Sequence, residues 1–444
     1  MSASSPRADG GHAGYTPYAA MSVVVANMIG TGVFTSLGFQ LVDLDTTFPL
    51  LLLWVVGGVA AFCGAISYAE LGAAIPRSGG EYTFLSRIYH PAAGFISGWI
   101  SSTVGFAAPT ALAAMTFGAY LSSVIPSLHE RWLAVGLVLT LTAVHATTHA
   151  RSGALQTSFT TLKLLLIVAF VGAALVLTPD PQAVTFLPAA GDGSAIRGGA
   201  FAVSLIYVSY AYTGWNAATY LTSEIEEPTK RLPWILGGGT ALVMALYVAL
   251  NYAFLRAAPM SAMRGEVEVG YIAATYIFGP VGADLMGVTL ALLLVSTVSA
   301  MVVAGPRVLH VIGEDYEAFR WLGRTNDDGI PVPAVLTQGV LAIGFILTAS
   351  FESVLVFSGF VLAVNSFLTV SGLFVFRLRE PDADRPYSAW AYPFTPLIYL
   401  ALTLWTLAYL AMDRPQEAGV AALLIVAGGI VWLLTGRTGR DSAR

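Results

Sequence analysis

Long stretches without a charged side chain constrain the fold of this chain more than any other feature. No Asp, Glu, Lys or Arg occurs between Asp9 and Asp43, and none occurs between Asp45 and Glu70. Across all 444 residues, charged side chains make up 11% and apolar side chains 56%. Since soluble proteins usually carry charge on about a quarter of their residues, this composition predicts a polytopic membrane protein.

The apolar stretches predict twelve membrane-spanning helices, because a span needs about 20 mostly apolar residues. After the first two stretches, the predicted spans cover roughly 91–125, 132–149, 153–178, 199–223, 234–258, 273–305, 333–350, 353–376, 391–411 and 417–436. The connections between them are short. We therefore predict an all-α membrane protein that has no separate soluble domain.

The distribution of Lys and Arg predicts the orientation of these spans. If the N-terminus is cytoplasmic, 16 of the 21 basic residues lie on the cytoplasmic side and 5 lie on the other. Basic residues near span ends are retained in the cytoplasm, so both termini are predicted there, with short tails at 1–14 and 437–444. The net charge of −5 is small and spread out, and we expect no nucleic-acid partner.

Two predicted spans carry a glycine-containing interruption near the middle. Residues 28–34 read MIGTGVF in the first span, and residues 210–216 read YAYTGWN in the sixth. Backbone that leaves the helical path inside a membrane must be buried in protein or line a wet cavity. The two spans are five apart, and a repeat of five spans reverses its orientation. Residues 15–178 and 199–376 are therefore predicted to be inverted repeats of five helices, followed by two helices in 391–436.

Such interruptions expose main-chain groups that suit a zwitterion. Amides at the start of a half-helix carry partial positive charge, and carbonyls at the end of one carry partial negative charge. We predict that the amides of Thr31, Gly32 and Val33 hold a carboxylate. The predicted partners of an ammonium group are carbonyls near Ile29, Tyr210, Ala211 and Thr213, and Gly30 and Gly214 complete the predicted site. The alternative is that Gly30 and Gly32 only allow close helix packing.

Three ordered motifs carry a resemblance to a known family. They are IGTGVF at 29–34, YAELG at 68–72 leading into IPRSGGEY at 75–82, and YTGWN at 212–216 running on to Glu224 and Pro228. With these motifs the chain resembles the amino acid-polyamine-organocation superfamily over about residues 17–436. It is most similar to the L-type amino acid transporters and their bacterial relatives. The resemblance implies the sodium-symporter-like fold of five plus five inverted helices with two extra helices, alternating access, and amino acids as substrates.

The resemblance also implies roles for two residues of the sixth span. Tyr210 takes the place of an aromatic gate, usually phenylalanine in relatives, that closes over the substrate from outside. The tyrosine supports a gate without indicating a selectivity. Asn216 matches a position that helps to bind or couple substrate in L-type relatives. An interhelical hydrogen bond, worth about 1 kcal/mol, is an equal alternative for Asn216.

Lys163 lies inside the fifth predicted span, where a charge is costly and usually functional. According to the resemblance, a lysine here occupies the place of sodium in sodium-coupled relatives. It is expected to bond carbonyls of the opened first helix and a hydroxyl of the eighth, from Ser296 or Ser299. Sodium coupling is therefore disfavoured. Proton coupling through Lys163 and exchange with a permanently charged lysine both remain open, and snorkelling to the cytoplasmic face is the alternative.

The inner end of the sixth span suggests a gate. Glu224 there faces the loop of Arg77, and the two are predicted to form an inner gate. The alternative is a solvated helix end, where an ion pair contributes about 0 to 1 kcal/mol. No acidic residue lies deep in the first, third, sixth or eighth span, and this favours neutral amino acids over cationic ones.

Together these features predict a sodium-independent exchanger of neutral amino acids in the cytoplasmic membrane. A proton-coupled symporter of the same fold is the alternative, and a non-transporting amino acid sensor is a remote one. The spans contain no catalytic cluster, so we expect no enzyme activity, cofactor or metal site. The one cysteine, Cys63, lies in the second span. We therefore expect no disulfide-linked heavy subunit of the kind found with L-type relatives in animals.

Overall fold

The computed structural model of this chain describes residues 16–147 and 153–435, with side chains described for all of these except 153–157. The predicted tails at 1–14 and 437–444 lie outside the described residues. Within them the chain forms seventeen α-helices and no β-strand. The helices are α1 (Pro17–Met28), α2 (Gly32–Asp43), α3 (Thr47–Ala74), α4 (Gly80–Ile88), α5 (Pro91–Ile100), α6 (Ala107–Val124), α7 (Glu130–Thr147), α8 (Gly153–Val176), α9 (Asp192–Arg197), α10 (Gly199–Ala211), α11 (Pro228–Ala257), α12 (Met260–Met263), α13 (Val269–Asp315), α14 (Val332–Thr348), α15 (Phe351–Arg379), α16 (Phe394–Asp413) and α17 (Pro415–Thr435). Ser101–Gly105 is a π-helical turn, and Ala217–Glu224 and Glu317–Phe319 are 3-10 helices.

The length and composition of the helices confirm an integral membrane protein. Nine segments of the described chain are long and apolar enough to cross a membrane, namely α1 with α2, α3, α5 with α6, α8, α11, α13, α15, α16 and α17. Helices α10 and α14 are apolar but shorter, with 13 and 17 residues. Helix α7 has 18 residues and begins with Glu130 and Arg131. The total of twelve spans and the inverted repeat stay predictions.

The long helix α13 contains a break that the predicted span at 273–305 did not anticipate. Gly279 has φ 74° and ψ −178°, and Pro280 follows it. This positive φ is one that side chains with a Cβ rarely adopt, whereas glycine adopts it without steric cost. Helix α13 therefore consists of two helical pieces, and the longer one continues to Asp315.

We call the end of the bundle where α3 and α15 finish and α4 lies the α4 end. There Arg377 of α15 donates to Glu70 of α3 at 2.6 and 2.8 Å. Both ends of the described chain also lie here. Trp432 in the last turn of α17 contacts His90 beside α4, with 5.6 Å between the ring centroids. Near the other terminus, Met21 of α1 lies against Gly238 close to the start of α11.

Aromatic side chains fill the core where α1, α3, α10 and α11 meet. Trp54, Tyr212 and Tyr247 are buried together, with ring centroids 5.0 to 6.1 Å apart. The hydroxyl of Tyr212 donates to the carbonyl of Trp54 at 2.9 Å. This cluster packs directly behind the two helix interruptions and supports them from one side.

Candidate functional site

The interruption predicted in the first span is present. Helix α1 ends at Met28 and α2 begins at Gly32, so residues 29–31 leave the helical path. The amide of Gly30 donates to the carbonyl of Met28 at 2.8 Å in a tight turn. Among the described residues, no acceptor bonds the amides of Thr31, Gly32 and Val33. Free amides of this kind are expected at a helix start and favour a negatively charged group.

The interruption predicted in the sixth span is also present. Helix α10 ends at Ala211, and the chain resumes as the 3-10 helix Ala217–Glu224. Gly214, between them, has φ 100°, and an added Cβ would lie 2.7 Å from the backbone of Asn27 in α1. Both the conformation and the close approach of the two broken segments therefore require glycine here. Thr213 stabilises the turn by donating its hydroxyl to the Tyr210 carbonyl at 2.7 Å.

Tyr247 of α11 joins the two interruptions. Its hydroxyl lies 2.5 Å from the carbonyl of Met28 and 3.1 Å from that of Ala211, the last residues of α1 and α10. The side chain is fully buried. The sequence gives little sign of this role, since a tyrosine within an apolar span is common. The Ala211 carbonyl, a predicted partner of an ammonium group, is thus already engaged with Tyr247.

Gly30 and Gly32 differ in their surroundings. A Cβ added to Gly32 would lie 2.5 Å from the Cα of Ala211, so α2 packs directly onto the end of α10 at this point. A Cβ added to Gly30 would meet no atom within 4 Å. Gly32 therefore fits the packing alternative, while Gly30 borders open space beside the free amides.

Tyr210 is buried and borders a cavity between α3, α10, α15 and α16. The cavity has a volume of about 60 Å³, and polar side chains of Thr213, Ser366 and Thr403 also line it. A cavity of this size with hydroxyl groups on its wall can hold water. Tyr210 thus lies between the sixth interruption and this cavity, and its role as a gate stays a prediction.

Lys163 is buried, with 7% of its surface exposed, and its ammonium group donates to the hydroxyl of Thr297 at 2.7 Å. Ser299 instead bonds the ring of His145 at 2.8 Å. Thr297 therefore replaces Ser296 and Ser299 as the partner hydroxyl. Successive residues of a helix are turned by about 100°, so the two serines of α13 face other directions.

A small cavity places Lys163 beside the first interruption. It has a volume of about 10 Å³ and is lined by Lys163, Gly30, Phe34 and Thr297, among others. This volume is close to the minimum for one water molecule. The ammonium group lies inside the bundle, not at its surface, and in the part of the chain with described side chains no carbonyl of residues 29–31 accepts from it directly.

The predicted ion pair between Arg77 and Glu224 is not formed in the described structure. Both side chains are exposed, and neither appears in an ion pair. Their sequence neighbours Ser78 and Ser223 meet instead. The two hydroxyls lie 2.6 Å apart, and the Ser223 amide donates to the Ser78 hydroxyl at 3.1 Å. Exposed charges gain little from pairing because water already solvates them. Hydroxyl groups therefore hold this contact.

Asn216 bonds a carboxyl group that was not among the predicted site residues. Its side-chain amide donates to Glu81 of α4 at 2.5 Å. Tyr68 donates to the same carboxyl at 3.2 Å, and the hydroxyl of Tyr220 donates to its other oxygen. Only 3% of Glu81 is exposed, and this burial raises the pKa of its carboxyl. Glu81 belongs to the motif IPRSGGEY at 75–82, and this motif is the sequence signal that could have pointed to it.

Comparison with known proteins places the chain in a family. The family model described as amino acid permease matches residues 16–434. The chain is similar to the b(0,+)-type amino acid transporter 1 of Mus musculus, with 23% identity over 92% of this chain and 85% of that protein. It is also similar to the large neutral amino acids transporter small subunit 2 of Homo sapiens, with 27% identity over 94% of this chain and 79% of that protein. This chain therefore belongs to the amino acid permease family, whose members are membrane carriers and not enzymes.

Proposed function

We propose that this protein is a sodium-independent secondary transporter that exchanges neutral amino acids across the cytoplasmic membrane by alternating access. The observation that carries the proposal is the meeting of two interrupted helices at Tyr247, with free amides and open space beside Gly30. Half-helix ends that meet inside a membrane bundle are the usual binding element of secondary transporters.

An amino acid fits this site through its charged ends. Its carboxylate would accept from the amides of Thr31, Gly32 and Val33 at the start of α2. Its ammonium group would lie at the carbonyls of Ile29 and Thr213, since the other two predicted carbonyls, those of Tyr210 and Ala211, already accept from Thr213 and Tyr247. The space that Gly30 borders is about 10 Å³ in this structure, so the substrate's side chain would occupy it only after the bundle opens. Asn216 fits the alternative of an interhelical hydrogen bond, since its side-chain amide already donates to Glu81, and it would reach the substrate only if that bond breaks.

The position of Lys163 supports sodium independence. The ammonium group shares a cavity with Gly30 at the first interruption. Two cations close together in a medium of low dielectric constant repel each other strongly, so a charged Lys163 disfavours a sodium ion there. A relative from Homo sapiens is named for large neutral amino acids, which supports a neutral substrate.

The membrane topology of the proposal follows the basic residues. We place the α4 end, and with it both termini, on the cytoplasmic side, with residues 15–178 and 199–376 as inverted repeats and 391–436 as the last two spans. Cys63 is buried within α3. The carrier is therefore proposed to work without a disulfide-linked subunit.

Uptake by the purified protein in liposomes tests this proposal. Vesicles are loaded with unlabelled L-leucine and supplied outside with labelled L-leucine, in sodium or choline buffer and with or without a pH gradient. We expect uptake that needs internal leucine and ignores both sodium and the gradient. Uptake into empty vesicles driven by the pH gradient would establish the proton-symport alternative. Binding of leucine without any flux would establish the sensor alternative.

A pair of glycine variants tests the position of the substrate. Gly30→Ala should keep the fold, because its Cβ meets no atom within 4 Å, and should raise the KM for leucine. Gly136→Ala in α7 is the matched control, since its Cβ also meets no atom within 4 Å. An unchanged KM in Gly30→Ala would show that the substrate does not bind beside Gly30.

A further inference from the structure

Glu81 is a buried carboxyl group without a cationic partner. Within residues 16–147 and 153–435, it forms hydrogen bonds but no ion pair. Burying an ionised carboxylate without a counter-charge is unfavourable, and the group gains a proton instead when protons are available. All its partners on neighbouring elements are neutral donors. These hydrogen bonds favour the charged carboxylate, but they bring no counter-charge, and burial, the larger effect, raises the pKa of the Glu81 carboxyl.

The hydrogen bonds of Glu81 connect elements that alternating access would separate. The carboxyl group belongs to α4, which packs mainly against α5 and α15. Its donors Asn216 and Tyr220 belong to the second half of the interrupted sixth segment, and Tyr68 belongs to α3. The serine contact between Ser78 and Ser223 lies on the same junction. Glu81 thus bonds across the boundary between α4 and the sixth segment.

The charged groups around Glu81 are engaged elsewhere or exposed. The titratable and charged side chains near this junction are those of Tyr68, Glu70, Arg77, Tyr82, Arg87, Tyr89, His90, Tyr220, Glu224, Asp315, Arg377, Arg379 and Tyr399. Arg77 is exposed to water. Arg87 pairs with Glu380, and Arg377 pairs with Glu70. Arg379 donates to the carbonyl of Ile88 at 2.7 Å. None of these arginines is therefore placed to neutralise Glu81.

We propose that Glu81 is a proton-binding site that holds a proton while residues 217–224 are closed on α4 and releases it to water when this segment moves away. The proposal rests on the alternating access proposed above. The step is a simple acid dissociation, in which the carboxyl O–H bond breaks and water takes the proton. Lys163 has no part in it.

The pH dependence of this step has a definite sign. Burial raises the pKa of Glu81 in the closed form above its ordinary value of 4.5. Opening exposes the carboxyl group to water and returns its pKa toward that value. The closed form is therefore favoured at low pH, and this preference is lost as the pH rises through the raised pKa.

Infrared spectroscopy of the purified full chain detects the proton directly. We expect a carbonyl band of a protonated carboxyl group that disappears at a pH above the ordinary range of glutamate, and its loss in Glu81→Gln. Tyr220→Phe should shift the midpoint of this band to higher pH, because the tyrosine hydroxyl stabilises the charged carboxylate. A wild-type spectrum identical to that of Glu81→Gln throughout the titration, or an unshifted midpoint in Tyr220→Phe, would overturn the proposal.

Cross-linking across the junction measures closure. In a Cys63→Ala background, cysteines replace Ser78 and Ser223, whose hydroxyls lie 2.6 Å apart. The disulfide yield is compared at each pH between the protein with Glu81 and the same protein with Glu81→Gln. Because both carry the same two cysteines, the effect of pH on thiol ionisation is the same in both and cancels in the comparison. We expect the wild-type carboxyl group to lower the yield several-fold relative to Gln as the pH rises. Glu268→Gln, at a partly buried carboxyl group of the opposite end, should behave as wild type.

The outcomes separate this proposal from the proposed function. If the infrared band titrates as expected but the protein exchanges no leucine in liposomes, transport is refuted and Glu81 remains a proton site. If the protein exchanges leucine but the disulfide yield is the same with Glu81 and with Glu81→Gln at every pH, the proton site is refuted and the transporter remains.

Discussion

Two buried carboxyl groups at the α4 end, Glu70 and Glu81, lie in contrasting surroundings. Glu70 is fully buried and accepts from Arg377 at 2.6 and 2.8 Å and from the amide of Ala389 at 2.6 Å. The guanidinium of Arg377 also stacks 3.6 Å from the ring centre of Tyr392. Glu81 is held only by hydroxyl and amide donors.

Their surroundings determine what each carboxyl group can do. A bidentate bond to arginine gives Glu70 a counter-charge and ties α3, α15 and the loop at Ala389 together. The hydroxyl groups of Tyr68 and Tyr220 can donate to a charged carboxylate or accept from a protonated one, so Glu81 can change its protonation without losing all of its partners. One carboxyl group is therefore a fixed link of the fold, and the other suits a moving junction.

The largest expected effect is on the fixed link. Glu70→Gln should lower the free energy of unfolding by about 3 kcal/mol or more, because it leaves Arg377 uncompensated in a mostly buried site. Arg87→Met is the control, since its pair with Glu380 is 57% and 34% exposed and contributes about 0 to 1 kcal/mol. Chemical denaturation measures both. Equal losses would erase the distinction between a buried and an exposed pair.

Lys163 extends the comparison to a buried cation held by a neutral partner. Lys163→Ala should leave the protein folded and slow exchange about tenfold or more, since a hydrogen bond from a charged donor contributes about 1.5 to 3 kcal/mol. Leucine exchange in liposomes and the thermal melting temperature measure the two effects. Thr297→Val keeps the charge and removes its hydroxyl partner. Wild-type exchange by Lys163→Ala at every pH would remove the lysine from the mechanism.

The junction of the two interruptions is a third place where a neutral donor does the bonding. Tyr247→Phe should lower the free energy of unfolding by about 1 to 3 kcal/mol, because the buried Ala211 carbonyl would lose its donor and the Met28 carbonyl would keep only the Gly30 amide. The KM for leucine should rise as well. Tyr212→Phe, which removes a bond to Trp54 away from both half-helix ends, is the matched control for stability. A KM that changes equally in both variants would contradict a specific role for Tyr247.

The smallest effect is expected for Glu81, and it depends on pH. Glu81→Gln should lose less stability than the wild type when the pH rises from 5 to 8. The raised pKa of Glu81 means that its stabilising contribution is complete below 4.5 and is lost as the pH rises through the pKa of the folded protein. Thermal melting at several pH values measures this difference. Parallel pH profiles would show that Glu81 makes no pH-dependent contribution to the stability of the folded protein.

Several features of the site could be predicted because their signals are local. Glycines among hydrogen-bonding side chains indicated interruptions at 28–34 and 210–216, and the chain leaves the helical path at 29–31 and 212–216. The distinct roles of Gly30 and Gly32 could not be predicted. They depend on which glycine faces α10, and therefore on the packing of two helices that are far apart in the chain.

Side-chain partners were harder to predict for the same reason. Thr297 bonds Lys163 because α13 is rotated so that this hydroxyl faces α8. The sequence shows which residues carry a hydroxyl group but does not show this rotation. Glu81 meets Asn216 across 135 positions of sequence, through the placement of α4 against the sixth segment. Arg77 and Glu224 have suitable charges, yet water competes successfully for both.

Membrane insertion, helical class and the position of the two interruptions follow from the order of residues alone, because apolar length and glycine conformation act over a few turns of helix. Whether a buried charge meets an arginine, a hydroxyl or an amide depends on packing between distant helices. Glu70 and Glu81 are the same residue type in neighbouring motifs. Only the arrangement of α4, α15 and the sixth segment gives one of them a counter-charge and leaves the other with neutral partners.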